Sequence, residues 1–590
     1  MSTTTTRVAP RWTVVPDDPA VEPSKELVGG KAWSLWRMRS LGLPVPPAFV
    51  VTTEACRAYF AEGGLPAGLE GELVAGIRLL ERELDRTFGG TERPLLVSVR
   101  SGAAVSMPGM MDTILDLGMN PDVEAALAAE AGDATFAAEV HRRFCGFYGR
   151  QVLGCTEELE DLPDTDAVRR AIADDVTEEI PADPWEQLRA AVGAVFASSR
   201  SRRAVAYRKH WGIRDDLGTA VTVQAMVFGN LDDSSGTGVL FTRSPVDGTR
   251  EPYGEYLPRG QGEDVVSGRI TPRPLTDLAE RLPAVHDELL TAARRLDDEG
   301  RDAQDIEFTV QHGSLYLLQS RPAKRTARAA VRIARALVRE GTLTPAEAVR
   351  RVNAEQAVSL LRPEIDGDAA AAATLLAAGA AASPGVATGV VVGTAEEAQR
   401  HPGSVLARHT TSPEDVQGMI AASAVITEVG GTTSHAAVVG RALDVPCVVG
   451  CGAGVVASLA GRTVTVDATS GRIYDGEIAV TAADECADDD LVELTAWADE
   501  FSPVRVLAAD GEAACRLGPV FDGDTVDPEA LGDGVPTIPP GATAVRGAVF
   551  QSADGARAAL DAGVGTIVAT RRLPVLLAAI AHHDAHGRTA

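Results

Sequence analysis

Hydrophobic and polar positions recur along this chain with two rhythms, one helical and one of period two, and the switches between them mark the elements. Residues 28–52 predict a turn at Val28-Gly29-Gly30-Lys31 and an amphipathic helix near Ala32–Leu41. Pro44-Val45-Pro46-Pro47 then leads into a strand at Ala48–Thr52. Leu95–Arg100 reads as a strand, followed by a Gly/Ser/Met-rich loop and a second apolar strand ending near residue 118. Residues 120–215 carry helical periodicity in Ala-, Glu- and Arg-rich segments, interrupted by acidic, Pro-bearing loops. From Ala220 the pattern becomes β: Val221–Phe228, Gly238–Thr242, Asp305–Val310 and Ser314–Gln319 are short alternating or apolar runs flanked by Gly and Asp. Helices return over 324–360, with Ala329–Val338 strongly amphipathic and Thr344-Pro345 a helix start.

These segments predict a mixed α/β and α+β multidomain chain. A tail at 1–11 precedes a large unit at 12–345, with its helical insertion at about 120–215. A helical linker at 346–382 leads to a Gly-, Val- and Thr-rich compact unit at 383–480. An acidic linker at 481–502 and a small α/β region at 503–590 complete the chain. A length of 590 residues exceeds one core and fits about three or four domains.

Composition narrows the function classes. A net charge of −28 argues against a nucleic-acid surface, which needs clustered Lys and Arg. It leaves room for a nucleotide held by a few placed cations, backbone amides and Mg2+. Seven scattered cysteines fit a reducing compartment better than a disulfide framework. Cys447 and Cys451 are the only close pair, and with no second Cys/His pair at finger spacing they read as core packing. No apolar signal segment opens the chain, and the Ala-rich stretch 369–382 is too short to span a bilayer. The expectation is a cytoplasmic protein with no membrane and no nucleic-acid partner.

Three pieces of the front half have phosphate-binding character. Gly29-Gly30-Lys31 opens a helix, where free amides and a lysine can hold phosphate oxygens, although a plain surface turn explains it equally well. Arg100 ends a strand and precedes the small-residue loop Gly102–Gly109. That suits closure over a triphosphate, or a structural arginine beside a mobile loop. In the third piece, Asp305 and Glu307 lie two apart on one strand and therefore share a face. Gln319 and Arg321 fall on the partner strand of a hairpin. Two carboxylates and an amide oxygen suit Mg2+, and an arginine suits phosphate; a solvated face of ion pairs is the alternative. Separately, Gly430-Gly431-Thr432-Thr433-Ser434-His435-Ala436-Ala437 places an unshielded histidine near the start of a helix, where an anion bonded to the imidazole is favoured.

In this order, VGGKAWSL, SVRSGAAVSMPGMMDT, GEYLPRGQGEDVVSGRITP, DIEFTV, LYLLQSRPAKRTA, ASPGVATG, TSPEDVQGM and GGTTSHAAVVGRA resemble the pyruvate, phosphate dikinase family of phosphoenolpyruvate-utilising enzymes, over roughly residues 12–480. The resemblance implies an ATP-grasp domain at 12–345 and a swivelling β/β/α phosphohistidine domain at 383–480. ATP would be held by Lys31, Arg100, Gly102, Met107, Gly109, Thr242, Asp305, Glu307, Gln319 and Arg321, with Mg2+ on Asp305, Glu307 and Gln319. His435 would take a pyrophosphoryl group from ATP and pass its outer phosphoryl to inorganic phosphate. Thr433 matches a position that is phosphorylated for regulation in some members.

Residues 503–590 resemble the opening strands of the family's pyruvate-binding (β/α)₈ barrel, a fold of about 250 residues, and are read as a truncated remnant. Ala509 stands where the family has Asn before the Asp, Thr570-Arg571-Arg572-Leu573 replaces its Arg-Thr-Glu-His run, and Gly430-Gly431-Thr432 its Gly-Gly-Met. The expectation is therefore an ATP:histidine phosphotransferase whose final acceptor, pyruvate or another molecule, is bound on a separate barrel subunit or acceptor protein. The alternatives are an antibiotic-type small-molecule phosphotransferase and a catalytically degenerate ATP-binding regulatory paralogue. No acceptor-domain insert is legible between 345 and 383, which counts against the first. Retention of the ATP and histidine residues counts against the second.

Overall fold

Two antiparallel sheets are built from the front part of the chain and meet where Arg100 of one reaches Glu307 of the other, a junction called the cleft below. The computed structural model describes all residues except 1–11, 16–22, 105–112, 160–161, 211–212, 215–216, 267–269, 362–363, 366, 444, 482–484, 510, 512–513, 515–516, 518–519, 526–534 and 588–590. The tail expected at 1–11 lies outside the described residues. The first sheet runs, in spatial order, Thr13–Val14, Ala48–Val51, Ala220–Ala225, Val97–Gly102 and Thr113–Leu117. Its outer face is covered by helices that include Leu69–Leu84, Ala134–Gln151 and Pro184–Ser198, through Leu73, Ile77, Phe144, Val192 and Phe196. Each fully buried Leu or Phe of this kind stabilises the fold by about 1.5–3 kcal/mol.

The second sheet runs Arg273–Pro274, Tyr253–Pro258, Gly236–Phe241, Gln304–Gln311 and Ser314–Pro322. Helix Pro283–Gly300 packs Leu289 and Leu296 against Ile306, Phe308 and Leu317 of this sheet. Helix Lys25–Ser40 joins the same core through Leu35 and Met38. That helix starts earlier than its pattern predicts, because Ser24 caps it, and Gly29 interrupts it with φ 75°. A Cβ at Gly29 would lie 2.0 Å from the Gly102 carbonyl oxygen, so this close crossing of two chain segments requires glycine.

An eight-stranded sheet follows in the order Leu375–Ala378, Arg472–Asp475, Thr463–Asp467, Val386–Val392, Val405–Arg408, Ala424–Thr427, Cys447–Val449 and Ala380–Ser383. The strand Ala424–Thr427 is buried throughout and reads as an unbroken apolar run, as a parallel strand covered on both faces does. Residues 375–383, expected within the linker, are two strands at opposite edges of this sheet. Their small side chains fit the close approach: a Cβ at Gly379 would lie 2.5 Å from the Val449 carbonyl oxygen. The two connections to the sheet pair with each other, Glu364–Ile365 antiparallel to Val480–Thr481, and make a two-stranded stem.

Beyond the stem, helix Asp489–Phe501 occupies most of the acidic stretch expected as a linker. It joins a four-stranded parallel sheet ordered Arg505–Ala508, Thr566–Ala569, Ala544–Arg546 and Phe521–Asp522. This C-terminal unit shares one core with helices Ala327–Arg339, Pro345–Val349 and Ala354–Leu360, joining Val331, Val349 and Ala357 to Leu494, Phe550 and Leu576. No helix among the described residues is long and apolar enough to cross a membrane.

Candidate functional site

The hairpin Gln304–Gln311/Ser314–Pro322 sets the floor of the cleft. Its register pairs Asp305 with Arg321 and Glu307 with Gln319, so the four polar side chains expected to converge stand in two adjacent cross-strand pairs. Arg321 Nε donates to Asp305 Oδ2 at 2.8 Å. From the opposing sheet Arg100 reaches across, donating through Nη2 to Glu307 Oε2 at 3.3 Å and through Nη1 to Gln224 Oε1 and the Leu318 carbonyl, both at 3.4 Å. Helix Lys25–Ser40 is pinned to the same hairpin: Ser320 N donates to Ser34 Oγ at 2.8 Å, and Arg37 Nη2 to Gln304 Oε1 at 2.8 Å. One turn before Ser34, Lys31 is thereby held beside Arg100, Glu307 and Arg321.

This cluster contains more cations than its carboxylates neutralise locally. Burial first, then the Arg100 guanidinium, brings the Lys31 ammonium down to about 7, with Arg321 adding to the effect and Glu307 opposing it. Burial raises the Asp305 carboxyl above its ordinary range despite Arg321. Burial also opposes charge on Glu307, yet Arg100, Arg321 and Lys31 together hold it below the usual carboxylate range. Asp305 Oδ1 and Gln319 Oε1 are buried with no hydrogen-bond partner among the described residues. Such orphaned oxygens are costly unless a cation or donor arrives. No cluster of three or more His, Cys, Asp or Glu suited to a metal occurs among the described residues. Any ion here takes carboxylate, amide and ligand oxygens instead, a hard donor set that fits Mg2+.

His435 is the first residue of helix His435–Leu443. Thr411 Oγ1 lies 3.2 Å from its Nδ1, and its Nε2 is buried without a partner among the described residues. Burial lowers the imidazole to about 4, only partly offset by Asp415, so the ring is neutral at pH 7. The loop before it is fastened to the cleft's second sheet. Glu255, on strand Tyr253–Pro258, accepts from Thr432 N at 3.1 Å, Thr432 Oγ1 at 3.0 Å and Thr433 Oγ1 at 2.5 Å. Tyr253 Oη bonds the Thr432 hydroxyl as well. A Cβ at Gly431 would lie 2.5 Å from Glu255 Oε1, which explains a glycine beside this carboxylate. Arg441 Nη1, two turns along the helix, braces the loop from behind through the Thr432 carbonyl at 2.9 Å and the Ala382 carbonyl at 3.1 Å.

Lys31, Arg100, Asp305, Glu307, Gln319 and Arg321 thus come together, and Gly102 lines their cleft against the Gly29 turn. Thr242 does not join them: its hydroxyl donates to Asp297 Oδ1 at 2.6 Å and accepts from Gln304 N at 2.9 Å, closing the base of the sheet. Met107 and Gly109 lie outside the described residues. Tyr253 was not singled out by the sequence, and Glu255, Thr411 and Arg441 lay inside the motifs GEYLPRGQGEDVVSGRITP, TSPEDVQGM and GGTTSHAAVVGRA without a role assigned to them. The alternation in Tyr253-Gly254-Glu255-Tyr256-Leu257 was the one available sign of a strand there, and no local pattern joins it to a loop nearly two hundred residues away.

Residues 25–75 and 66–286 match the model of the pyruvate phosphate dikinase AMP/ATP-binding domain, and residues 400–471 that of the PEP-utilising enzyme mobile domain. Pyruvate, phosphate dikinase of Rhizobium meliloti is 41% identical over 84% of this chain and 61% of its own length. Pyruvate, phosphate dikinase 1, chloroplastic, of Zea mays is 42% identical over 82% and 55%, and the Clostridium symbiosum dikinase 39% over 84% and 63%. The chain therefore spans somewhat over half the length of these relatives. With both domain models matched in the order its sequence motifs imply, this chain belongs to the pyruvate, phosphate dikinase family of PEP-utilising enzymes.

Proposed function

We propose that this protein moves phosphoryl groups from ATP onto His435 and on to a second acceptor. The observation that carries the reading is the fastening of the His435 loop, through Glu255, to the sheet that bears Asp305 and Glu307. In the first step ATP lies between the two sheets with its phosphates against Lys31, Arg100 and Arg321. The Lys31 ammonium, brought low first by burial and then by Arg100, fits a site waiting for an anion. Asp305, Glu307 and Gln319 would hold Mg2+, which supplies charge neutralisation at the phosphate oxygens when bound.

His435 Nε2 then attacks the β-phosphorus in line. The bond from that phosphorus to the α,β-bridging oxygen breaks, AMP leaves with the oxygen, and a pyrophosphohistidine remains. For Nε2 to carry the lone pair, the ring proton sits on Nδ1 and is donated to Thr411 Oγ1. An oxygen of inorganic phosphate attacks the outer phosphorus, the bond from that phosphorus to the bridging oxygen breaks with the oxygen staying on the inner phosphoryl, and pyrophosphate and phospho-His435 result. The names of the relatives support pyruvate as the last acceptor. We place that acceptor on a separate barrel subunit or acceptor protein. Thr433, bonded to Glu255, is the proposed regulatory hydroxyl, and a cytoplasmic setting is supported by the six described cysteines, none of which forms a disulfide.

The test is incubation with ATP, Mg2+ and phosphate, following AMP by chromatography and the protein by intact mass. The expected result is AMP together with an acid-labile adduct, both lost in His435→Ala. ADP in place of AMP would sink the dikinase chemistry, and no turnover by folded protein would sink the phosphotransfer reading.

A further inference from the structure

Arg441 poses an unsolved electrostatic problem in the seam between the His435 helix and the nucleotide cleft. Its side chain is 6% exposed, and only Nη1 has partners. Nε and Nη2 are buried with none among the described residues. The guanidinium lies against the Phe241 ring, 5.9 Å from its centroid, and feels the charge of Asp305 and Glu255 and the phenol of Tyr253. Burial pushes its pKa down, which states the same penalty in another form. Bracing a loop needs one nitrogen. Two more donors are held dry, within electrostatic reach of Asp305, the carboxylate that carries its own orphaned oxygen.

We infer that Arg441 is the His435 unit's own ligand for the nucleotide's phosphate chain, so that docking of this unit is coupled to a polyphosphate in the cleft. The inference rests on the proposed ATP site. Lys31 on helix Lys25–Ser40, and Arg100 and Arg321 on the two front sheets, hold phosphates whether or not the His435 unit is near. Arg441 arrives only with the histidine. Without an anion, docking buries a cation with two unmet donors; with a polyphosphate present those donors are satisfied, and the docked arrangement is favoured when there is something to transfer. By reciprocity, docking then tightens nucleotide binding by the same factor. Once the polyphosphate has gone, the penalty returns and favours release.

This role differs in sign from loop bracing alone. A pure brace, when removed, weakens docking with and without nucleotide. A phosphate ligand, when neutralised, leaves nucleotide-free docking at least as strong and abolishes the response to nucleotide. The experiment uses the full chain with His435→Ala, so that no transfer occurs, and Cys486→Ser. A donor–acceptor dye pair is placed on cysteines introduced at exposed Glu62 and Arg462. Docking is read by energy transfer with and without ATP and Mg2+, and ATP affinity by calorimetry, for Arg441 and for Arg441→Gln. ATP is expected to shift the docking equilibrium by about 5-fold or more with Arg441, within the usual range of coupling. The shift should be about 1-fold with Arg441→Gln, whose amide can still donate to the Thr432 carbonyl so that nucleotide-free docking persists, with partial recovery in Arg441→Lys. An undiminished ATP response in Arg441→Gln, or docking lost even without ATP, overturns the inference while ATP binding by calorimetry leaves the nucleotide site standing. Absence of ATP binding in the Arg441 protein overturns both.

Discussion

At the scale of single residues, the His435 environment keeps the imidazole neutral, as the proposed nucleophile requires. Its imidazole is lowered from 6.5 to about 4 because burial penalises the cation more than Asp415 supports it. AMP formation is therefore expected to stay level as pH falls through 6.5 and to decline only towards 4–5, which a quenched-flow pH profile measures. Loss of activity centred at 6.5 would mean that the reacting histidine is solvated. The stability sign follows. Between 6.5 and about 4 the unfolded chain binds the proton that the folded chain refuses. The contribution is fully present above 6.5 and is lost as pH drops towards 4. Thr411→Val removes the group that fixes the ring proton on Nδ1. One neutral hydrogen bond is worth about 1 kcal/mol, so AMP formation should fall about 5- to 10-fold with ATP affinity unchanged.

Elements bring these residues together with uneven legibility in the sequence. The hairpin was readable: the two-residue period puts Asp305 and Glu307 on one face, and the observed register sets Arg321 and Gln319 opposite them. The helix at His435 was readable from its run of small apolar residues. Strand Tyr253–Pro258 was not, because Gly254 and Glu255 dilute its apolar signal. Residues 375–383 were misread because alanine favours helix, whereas here small side chains fit close strand approach. The Glu255 latch spans 177 and 178 positions in sequence and exists only in three dimensions. Its chemistry yields a sharp expectation for Thr433→Glu. The new carboxylate would face the oxygen that now accepts from Thr433, losing a hydrogen bond to a charged group worth about 1.5–3 kcal/mol. AMP formation should drop by roughly 10- to 100-fold with calorimetric ATP affinity unchanged. A parallel loss of ATP affinity would show that the latch also shapes the cleft.

Across the whole molecule, the His435 unit hangs from the two-stranded stem and touches the cleft through the latch, while the C-terminal unit is built into the platform beneath. Helix Asp489–Phe501 ties the platform by charge as well as by packing: Arg332 Nε meets Asp490 Oδ2 at 2.8 Å, Arg335 Nε meets Glu493 Oε2 at 2.6 Å, and Arg328 pairs with Asp488. Arg350 Nε reaches Asp584 at 2.5 Å near the far end. Because the apolar core of this platform is shared between 330–361 and 491–580, the two segments should melt together. Leu494 is fully buried within it, and Leu494→Ala should cost about 2–5 kcal/mol by loss of transfer energy and creation of a cavity. ATP with Mg2+ stabilises only what binds it, so in calorimetric scans nucleotide should raise the transition of the front sheets. Leu494→Ala should lower a second transition that nucleotide leaves in place. If the substitution and the nucleotide instead move one common transition, platform and cleft unfold as a single unit. The stem would then be a hinge between parts that share one stability. Two separable transitions would make the platform an independent mount that holds both roots of the stem.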